Sequence, residues 1–396
     1  MGYSVNRWLV LLSYMFVASI SQLIWLNFAP ITTPIMVDIF HTSEENLGWL
    51  SASWPLIFIL LSIPAGIVAD KKGYRFTVLI GSFIIAFFAL LRLAADSNFM
   101  FLLLCQSLAG VGQPFVYVVI SILVVQLFPE NERALATGLA ILAQLVGLAS
   151  ALIFTPLLVP YTDFLAYRNM LLIYGLIALL SFVCFFLFGK GENNKEIVAS
   201  HRALDAMKEF FRNSELGILL VLFFIGIGFF TGLLTWLESA LVPRGISVID
   251  SGLIASLILI GGILGSFVIP YASGKLRKRK VFFLSSFSIS ALMLLVITFS
   301  YDIYELALAS FLLGFFLVPS LPIALDYSSE IVEKSITGTV QSILWLGGQA
   351  GAVVIIPVMG SLENMGMVSN PFMFSLLFIF FLDIIALILC LFIKTR

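Results

Sequence analysis

Apolar residues run along this chain in long, nearly continuous stretches, cut at intervals by short clusters of Lys, Arg, Asp, Glu, Gly and Pro. Reading the runs between those breaks predicts helices near 8–36, 47–69, 76–95, 99–127, 133–158 and 167–188. A second set follows near 215–242, 251–272, 281–300, 303–329, 336–360 and 371–393. About 20 residues in a helix cross a hydrocarbon layer about 30 Å thick, and these runs supply that length. The pattern therefore predicts an all-α polytopic membrane protein with twelve transmembrane helices, arranged as two six-helix bundles. The long charged break at 189–213 makes the seam between a first bundle at 1–188 and a second at 214–396. Within that seam, 203–211 has the pattern of a short amphipathic helix lying on the membrane surface.

Composition agrees with this reading. Of 396 residues, 61% are apolar and 11% charged, with a mean hydropathy of +1.12. A soluble domain carries roughly a quarter charged residues. The net charge of −1 excludes a generally basic nucleic-acid binder. Cys105, Cys184 and Cys390 all fall within apolar runs and read as packing residues rather than a disulfide framework. The first run, after Arg7, is longer than a signal-peptide core and lacks a small-residue cleavage site, so it counts as the first span.

All but three of the 21 Lys and Arg residues fall at one set of span ends, the exceptions being Arg92, Arg168 and Arg244. Positive charge favours the cytoplasmic face, which places both termini and the 189–213 linker there. Short outer loops and the absence of N-x-[ST] sequons suit a prokaryotic inner membrane. A monomer is the expected state, each bundle pair containing its own pathway.

The halves repeat. Residues 136–158 align with 336–358 at an offset of 200, so that Thr137-Gly138 matches Thr337-Gly338, Gly147 matches Gly347, and Pro156 and Pro357 each close a run. A duplicated six-helix unit would put this match in the fifth helix of each half. Parallel repeats of this kind are characteristic of one large class of transporters.

Polar groups at membrane depth are costly and mark candidate pathways. Span one carries Gln22, Trp25 and Asn27; span four carries Gln106, Gln113 and Tyr117; span seven carries Glu238; span ten carries Asp326 and Glu330; span eleven carries Trp345. Glu238 and Asp326 suit a cationic substrate or a coupling proton, because a carboxylate at depth needs a cation, a proton or water beside it. Trp25 lies close to Pro30, which can break a membrane helix, and with Tyr117 or Trp345 it would form a cation–π box for a quaternary amine. Arg92, near the outer end of span three, reads as snorkelling, and Asp383 in span twelve has no assignable partner. Arg133 and Glu330, at corresponding mixed-charge corners, are expected as a cytoplasmic gate. His41 and His201 are both in predicted loops, so no metal site and no cofactor are expected. No G-x-x-x-x-G-K-[ST] loop is present, which argues against ATP hydrolysis. The chain is not expected to be an enzyme.

Between spans two and three, Gly66, Asp70, Gly73 and Arg75 fit the spacing G-x-x-x-D-x-x-G-x-[RK]. This resembles the signature of the major facilitator superfamily, and the predicted topology extends the resemblance over the whole chain. It implies a conformational latch in which Gly66 permits close helix approach, Asp70 caps a neighbouring helix N-terminus, and Gly73 makes a tight turn before Arg75. The second-half equivalent at 271–277 lacks the acidic residue. The sequence is further similar to the FLVCR-type branch, transporters associated with choline, ethanolamine and haem. That likeness rests on Trp25 with Asn27, on Gln106 through Gln113-Pro114-Phe115, on Gly314-Phe315-Phe316 with Leu321-Pro322, Asp326 and Glu330, and on Pro156 to Pro160. In that branch a first-span tryptophan and a fourth-span glutamine contact the choline headgroup, which implicates Trp25 and Gln113. Asn27 stands where the family has glutamine, Asp326 where it has glutamate, and no histidine falls in a span to ligate haem.

The expected function is secondary active or facilitative transport of a small organic solute, a choline-like cation first among them, by rocker-switch alternating access. Alternatives are a proton-coupled transporter of organic anions or drugs, and a non-transporting sensor or receptor on the same scaffold. The expected partners are a small-molecule substrate, a coupling proton and the lipid bilayer, with no nucleic acid.

Overall fold

A computed structural model describes residues 6–32, 36–190, 210, 212–276, 279–333, 336–365 and 370–393, with the side chains of 134, 270–276 and 364 left out. The expected surface helix at 203–211 lies, apart from Phe210, outside the described residues. The chain divides into two compact units, Met1–Val198 and Ala199–Arg396.

Both units are built from helices, and among the described residues no β-strand forms. In the first unit these are α1 (Arg7–Leu26), α2 (Val37–Phe40), α3 (Glu44–Leu91), α4 (Phe99–Gly110), α5 (Gly112–Tyr117), α6 (Ile120–Leu127), α7 (Glu130–Leu158) and α8 (Phe164–Phe188). The second has α9 (Ser214–Leu241), α10 (Val248–Leu276), α11 (Arg279–Phe299), α12 (Ile303–Leu317), α13 (Ser320–Ile331), α14 (Thr337–Ser361) and α15 (Met373–Cys390). Side chains of Asn6, Ser43, Asn98, Asp163, Asn213 and Asp302 accept from the first free N–H groups of the helices that follow them. These caps stop the chain where the apolar runs begin, since an unpaired helix N-terminus has no water to bond at the membrane.

Among the described residues eleven helical stretches are long and apolar enough to cross a membrane. The longest, Glu44–Ala95, spans the expected helices two and three. At about 1.5 Å per residue it would be more than twice the thickness of a hydrocarbon core, so it must turn. It turns at Gly73, whose φ of 80° and ψ of 168° break the helix. That region is essentially closed to any residue with a Cβ. Gly73→Ala is therefore expected to destabilise the protein by about 1–3 kcal/mol, read as a lower melting temperature in detergent micelles; an unshifted midpoint would remove the turn's glycine requirement.

Close helix crossings hold each unit together. A Cβ on Gly147 of α7 would strike the Ser19 carbonyl of α1, and one on Gly351 of α14 would strike the Phe224 carbonyl of α9. The same economy joins α3 to α5 at Gly81 and Gly112, and α10 to α12 at Gly261, Gly265 and Gly314. Without a hydrophobic drive between helices in lipid, such backbone approach supplies the dispersion contact that associates them.

Candidate functional site

In the first unit, Ala18, Ser21, Gln22 and Trp25 fall at i, i+3, i+4 and i+7 along α1 and so share one face. Gln113 and Tyr117, four apart on α5, share another. The two faces meet. The Tyr117 hydroxyl donates to the Ala18 carbonyl at 3.4 Å, and the side chains of Ser21, Gln22 and Gln113 all interact with it. Ser21 Oγ and Gln22 Oε1 nonetheless make no bond of ordinary geometry, although both residues are buried. Trp25 Nε1 donates to the Ser51 carbonyl at 2.9 Å, which fixes the indole and leaves its ring face as the part a ligand can use.

One turn beyond, the expectations change. Arg92 does not snorkel: it is 0% exposed. Its Nη1 donates to Asn27 Oδ1 at 3.1 Å and to Gln106 Oε1 at 2.9 Å, while Nε donates to the Ala89 carbonyl at 3.3 Å. The guanidinium also lies 5.3 Å from the centre of the Phe28 ring. Gln106 Nε2 in turn donates to the carbonyls of Ile24 and Trp25 at the end of α1. Asn27, expected to face a ligand, is fully buried in this network, with its amide nitrogen on Met170 Sδ. The reason is electrostatic: a cation withdrawn from water needs acceptors, and Asn27 and Gln106 are the ones within reach.

The second unit has a comparable clasp that the sequence reading did not anticipate. Arg244, after the end of α9, donates from Nη1 to the Ile297 carbonyl at 2.6 Å and from Nη2 to Asn370 Oδ1 at 3.0 Å. A cation at the carbonyl end of α11 satisfies groups the helix cannot pair itself. Two of the three basic residues on the minority side of the charge count are thus buried structural cations. The third, Arg168, stands 3.7 Å from Asp96. A signal was available: an Arg at an apolar span end accompanied by Asn and Gln in neighbouring spans.

Glu238 is buried on α9, with the Ser239 hydroxyl 3.4 Å from Oε2. Trp236 beside it is packing, its indole donating to the Ile356 carbonyl and its ring against Phe372. Asp326, expected to hold a cationic substrate or a coupling proton, has a cation of the protein itself beside it. It lies midway along α13, and Arg279, at the start of α11, donates to it at 2.6 Å and to Glu330 at 2.6 Å, so one cation is shared between the two carboxylates. Trp345 is exposed on α14. Arg133, expected to pair with acid, instead donates to the carbonyls of Phe128 and Val125. Its neighbour Glu132 takes the ion pair, with Arg7 at 2.8 Å.

Of the latch residues, Gly73 makes the turn described above. Arg75 donates to the Phe186 carbonyl at 3.4 Å, and Asp70 is exposed. Gly66 departs from its expected role: a Cβ there would meet nothing within 4 Å, and the close approaches belong to the glycines named earlier. The side chains of the second-half equivalent at 271–277 lie outside the described residues.

The model of the Major Facilitator Superfamily matches residues 14–355 and again 244–396. The chain belongs to the Major Facilitator Superfamily. Its structure is similar to that of a bacterial homolog of the human lysosomal transporter Spinster, at a TM-score of 0.77 and 17% identity, covering 98% of this chain and 97% of that one. The nucleoside transporter NupG gives a TM-score of 0.76 at 13% identity, covering 97% and 100%. This facilitator is also 24% identical over 385 residues to the choline/ethanolamine transporter FLVCR1 of Felis catus, covering 91% of this chain and 68% of that one. Solute carrier family 49 member A3 of Xenopus tropicalis is 25% identical over 394 residues, covering 92% and 80%. An uncharacterized protein of Archaeoglobus fulgidus is 40% identical over 195 residues, covering 49% of this chain and 89% of that one. The facilitator is thus a multi-pass integral membrane transporter of small solutes.

Proposed function

We propose that this facilitator carries a small organic cation of the choline class by rocker-switch alternating access. The observation that carries the reading is the meeting of α1 and α5, where the buried side chains of Ser21, Gln22 and Gln113 gather at the Tyr117 hydroxyl near the Trp25 ring, with Gln22 Oε1 in no bond of ordinary geometry. An acceptor left unpaired at membrane depth is costly unless a ligand supplies the donor or the positive charge. Aromatic faces attract a quaternary ammonium through the ring quadrupole, and amide oxygens complement a hydroxyl or a methyl-ammonium edge. Gln113 belongs to the same set, and the likeness to FLVCR1, a choline/ethanolamine transporter, supports the class. Asn27 then acts through Arg92 and Gln106, positioning the end of α1 rather than touching the solute. Glu238 is the proposed acidic contact of the second unit. Asp326 and Glu330 with Arg279, Arg133 beside the Arg7–Glu132 pair, and the Asp70, Gly73 and Arg75 turn are assigned to the cytoplasmic face as gate and latch. The membrane is proposed to be a prokaryotic plasma membrane with both termini inside.

The test is solute binding and flux in proteoliposomes, with choline, ethanolamine, organic acids and nucleosides compared. Choline-like cations are expected to stabilise and to cross. Trp25→Ala is expected to weaken their binding by about 1–2 kcal/mol, while Trp25→Phe retains part of it. Equal affinity in all three proteins, or uptake confined to anions, would sink the cation assignment.

A further inference from the structure

The carboxyl group of Asp383 is not used by anything described so far. It sits midway along α15 and is 1% exposed, in the middle of a membrane-crossing helix. Among the described residues no cation lies within ion-pair distance of it. One oxygen, Oδ2, is 2.6 Å from Ser290 Oγ on α11, and the other, Oδ1, has no hydrogen-bond partner. One turn along α11, on the same face, the hydroxyl of Ser286 is also buried and also unpartnered.

The geometry at Ser290 accommodates a protonated carboxyl. Ser290 Oγ is 3.1 Å from the Phe287 carbonyl as well as 2.6 Å from Asp383 Oδ2. A serine hydroxyl has one proton and can donate once, and a carbonyl can only accept. If Ser290 donates to Phe287, the short contact to Asp383 needs a proton from the carboxyl: Oδ2–H donates to Ser290 Oγ. Both contacts are then satisfied, and no naked charge is left in the bilayer.

We propose that Asp383 is a proton-binding site of this transporter, occupied in the conformation seen, with Ser290 as the acceptor of its proton and Ser286 as the next hydroxyl toward the Lys280 end of α11. Binding and release of one proton at an otherwise uncharged place would couple proton movement to the transport cycle. That coupling rests on the transporter reading above; occupancy of the site does not.

The charged groups around it leave the proton as the available counterion. On α11, Lys280 donates to the Leu391 carbonyl, and Arg279 is engaged by Asp326 and Glu330. Cys390 lies two turns away on α15 itself. α9 carries Glu215, to which Tyr327 donates, and Glu238, beside Ser239, toward its two ends. The helix α14 carries no titratable side chain, and the short turn Glu363–Met365 carries Glu363.

The sign of the pH effect follows from linkage. The folded protein holds a proton that the unfolded chain has released at neutral pH, so stability falls as pH rises, the reverse of a salt-bridged aspartate. Full-length protein in detergent, without solute, is melted from pH 6 to pH 9. Wild type is expected to lose roughly 2 °C per pH unit through the transition, and Asp383→Asn, which mimics the neutral form, to lose that component. Ser290→Ala gives a second reading that needs no isosteric fit. Removing an acceptor of the carboxyl's proton moves the fall to lower pH, whereas removing a donor to a carboxylate would move it to higher pH. Identical pH profiles in wild type and Asp383→Asn, or a move to higher pH in Ser290→Ala, overturn the proposal. Should Asp383→Asn not fold, the Ser290→Ala direction decides alone. In proteoliposomes, Asp383→Asn should keep solute exchange but lose accumulation driven by a pH gradient. Accumulation that survives the substitution overturns the coupling. A protein that shows the pH signature but moves no cation retains the site and loses the proposed substrate.

Discussion

Replacing Arg92 with alanine is expected to lower stability by about 2–4 kcal/mol, seen as a large drop in melting temperature in detergent. Two effects oppose each other here. Burying a guanidinium without a carboxylate partner carries a desolvation penalty, which argues that the protein would gain by losing the charge. Against this, Asn27 Oδ1, Gln106 Oε1 and the Ala89 carbonyl all accept from this one side chain, and alanine leaves them buried without a donor. Each buried acceptor so stranded costs on the order of 1–3 kcal/mol, and three outweigh the relief. The partial cation–π contact with Phe28 adds to the loss. Arg92→Lys is expected to recover little, because one ammonium cannot reproduce a planar fork reaching acceptors on three segments. A more stable alanine variant would show that desolvation dominates. The effect should also reach solute binding, since Gln106 links Arg92 to the carbonyls of Ile24 and Trp25. Weaker binding in Arg92→Ala, without any contact between Arg92 and solute, is the expected signature of a positioning residue.

How far the sequence discloses such an arrangement depends on what each residue's partner looks like in one dimension. Span positions were legible because about 20 consecutive apolar residues need no partner to be recognised. The Gly73 turn was legible because glycine, aspartate and arginine at fixed spacing describe a local conformation. Arg92 was not, because its partners Asn27 and Gln106 lie in other helices, and an arginine at a span end satisfies the snorkelling rule equally well. The partner of Asp326 was not legible because its cation, Arg279, is 47 residues away in sequence. Ser290, 93 residues from Asp383, has no compositional signal at all: serine is common in membrane helices and usually bonds its own backbone. The grouping of Gln22, Trp25, Gln113 and Tyr117 was half legible, through helical spacing on each face, but that the two faces meet is tertiary information.

The internal repeat makes a sharper demand, because it contains two kinds of glycine that look alike in an alignment. Gly138 and Gly338 match across the halves, yet a Cβ at either would meet nothing within 4 Å. Gly147 is different: its Cβ would drive into the Ser19 carbonyl and Cα, and Ser19 Oγ donates across the same crossing to the Ala143 carbonyl at 2.6 Å. Backbone cannot move aside as a flexible side chain can, so a side chain at Gly147 must push α1 and α7 apart along their contact. Overpacking of a rigid core costs about 1–3 kcal/mol, and more where backbone is displaced. Gly147→Leu is therefore expected to cost at least about 3 kcal/mol and to yield little folded protein, with Gly138→Leu close to wild type in yield and melting temperature. Gly351→Leu should behave like Gly147→Leu, because its Cβ would meet the Phe224 carbonyl and Cα of α9 in the same manner. The matched residue Gly347 abuts the end of the Leu220 side chain, which can rotate, so Gly347→Ala should be tolerated better than Gly351→Ala. If Gly138 and Gly147 prove equally sensitive, glycine in these helices serves the bilayer or the folding pathway rather than the crossing. If the ranking holds, the crossing moved one turn between the halves while their sequences kept the older register.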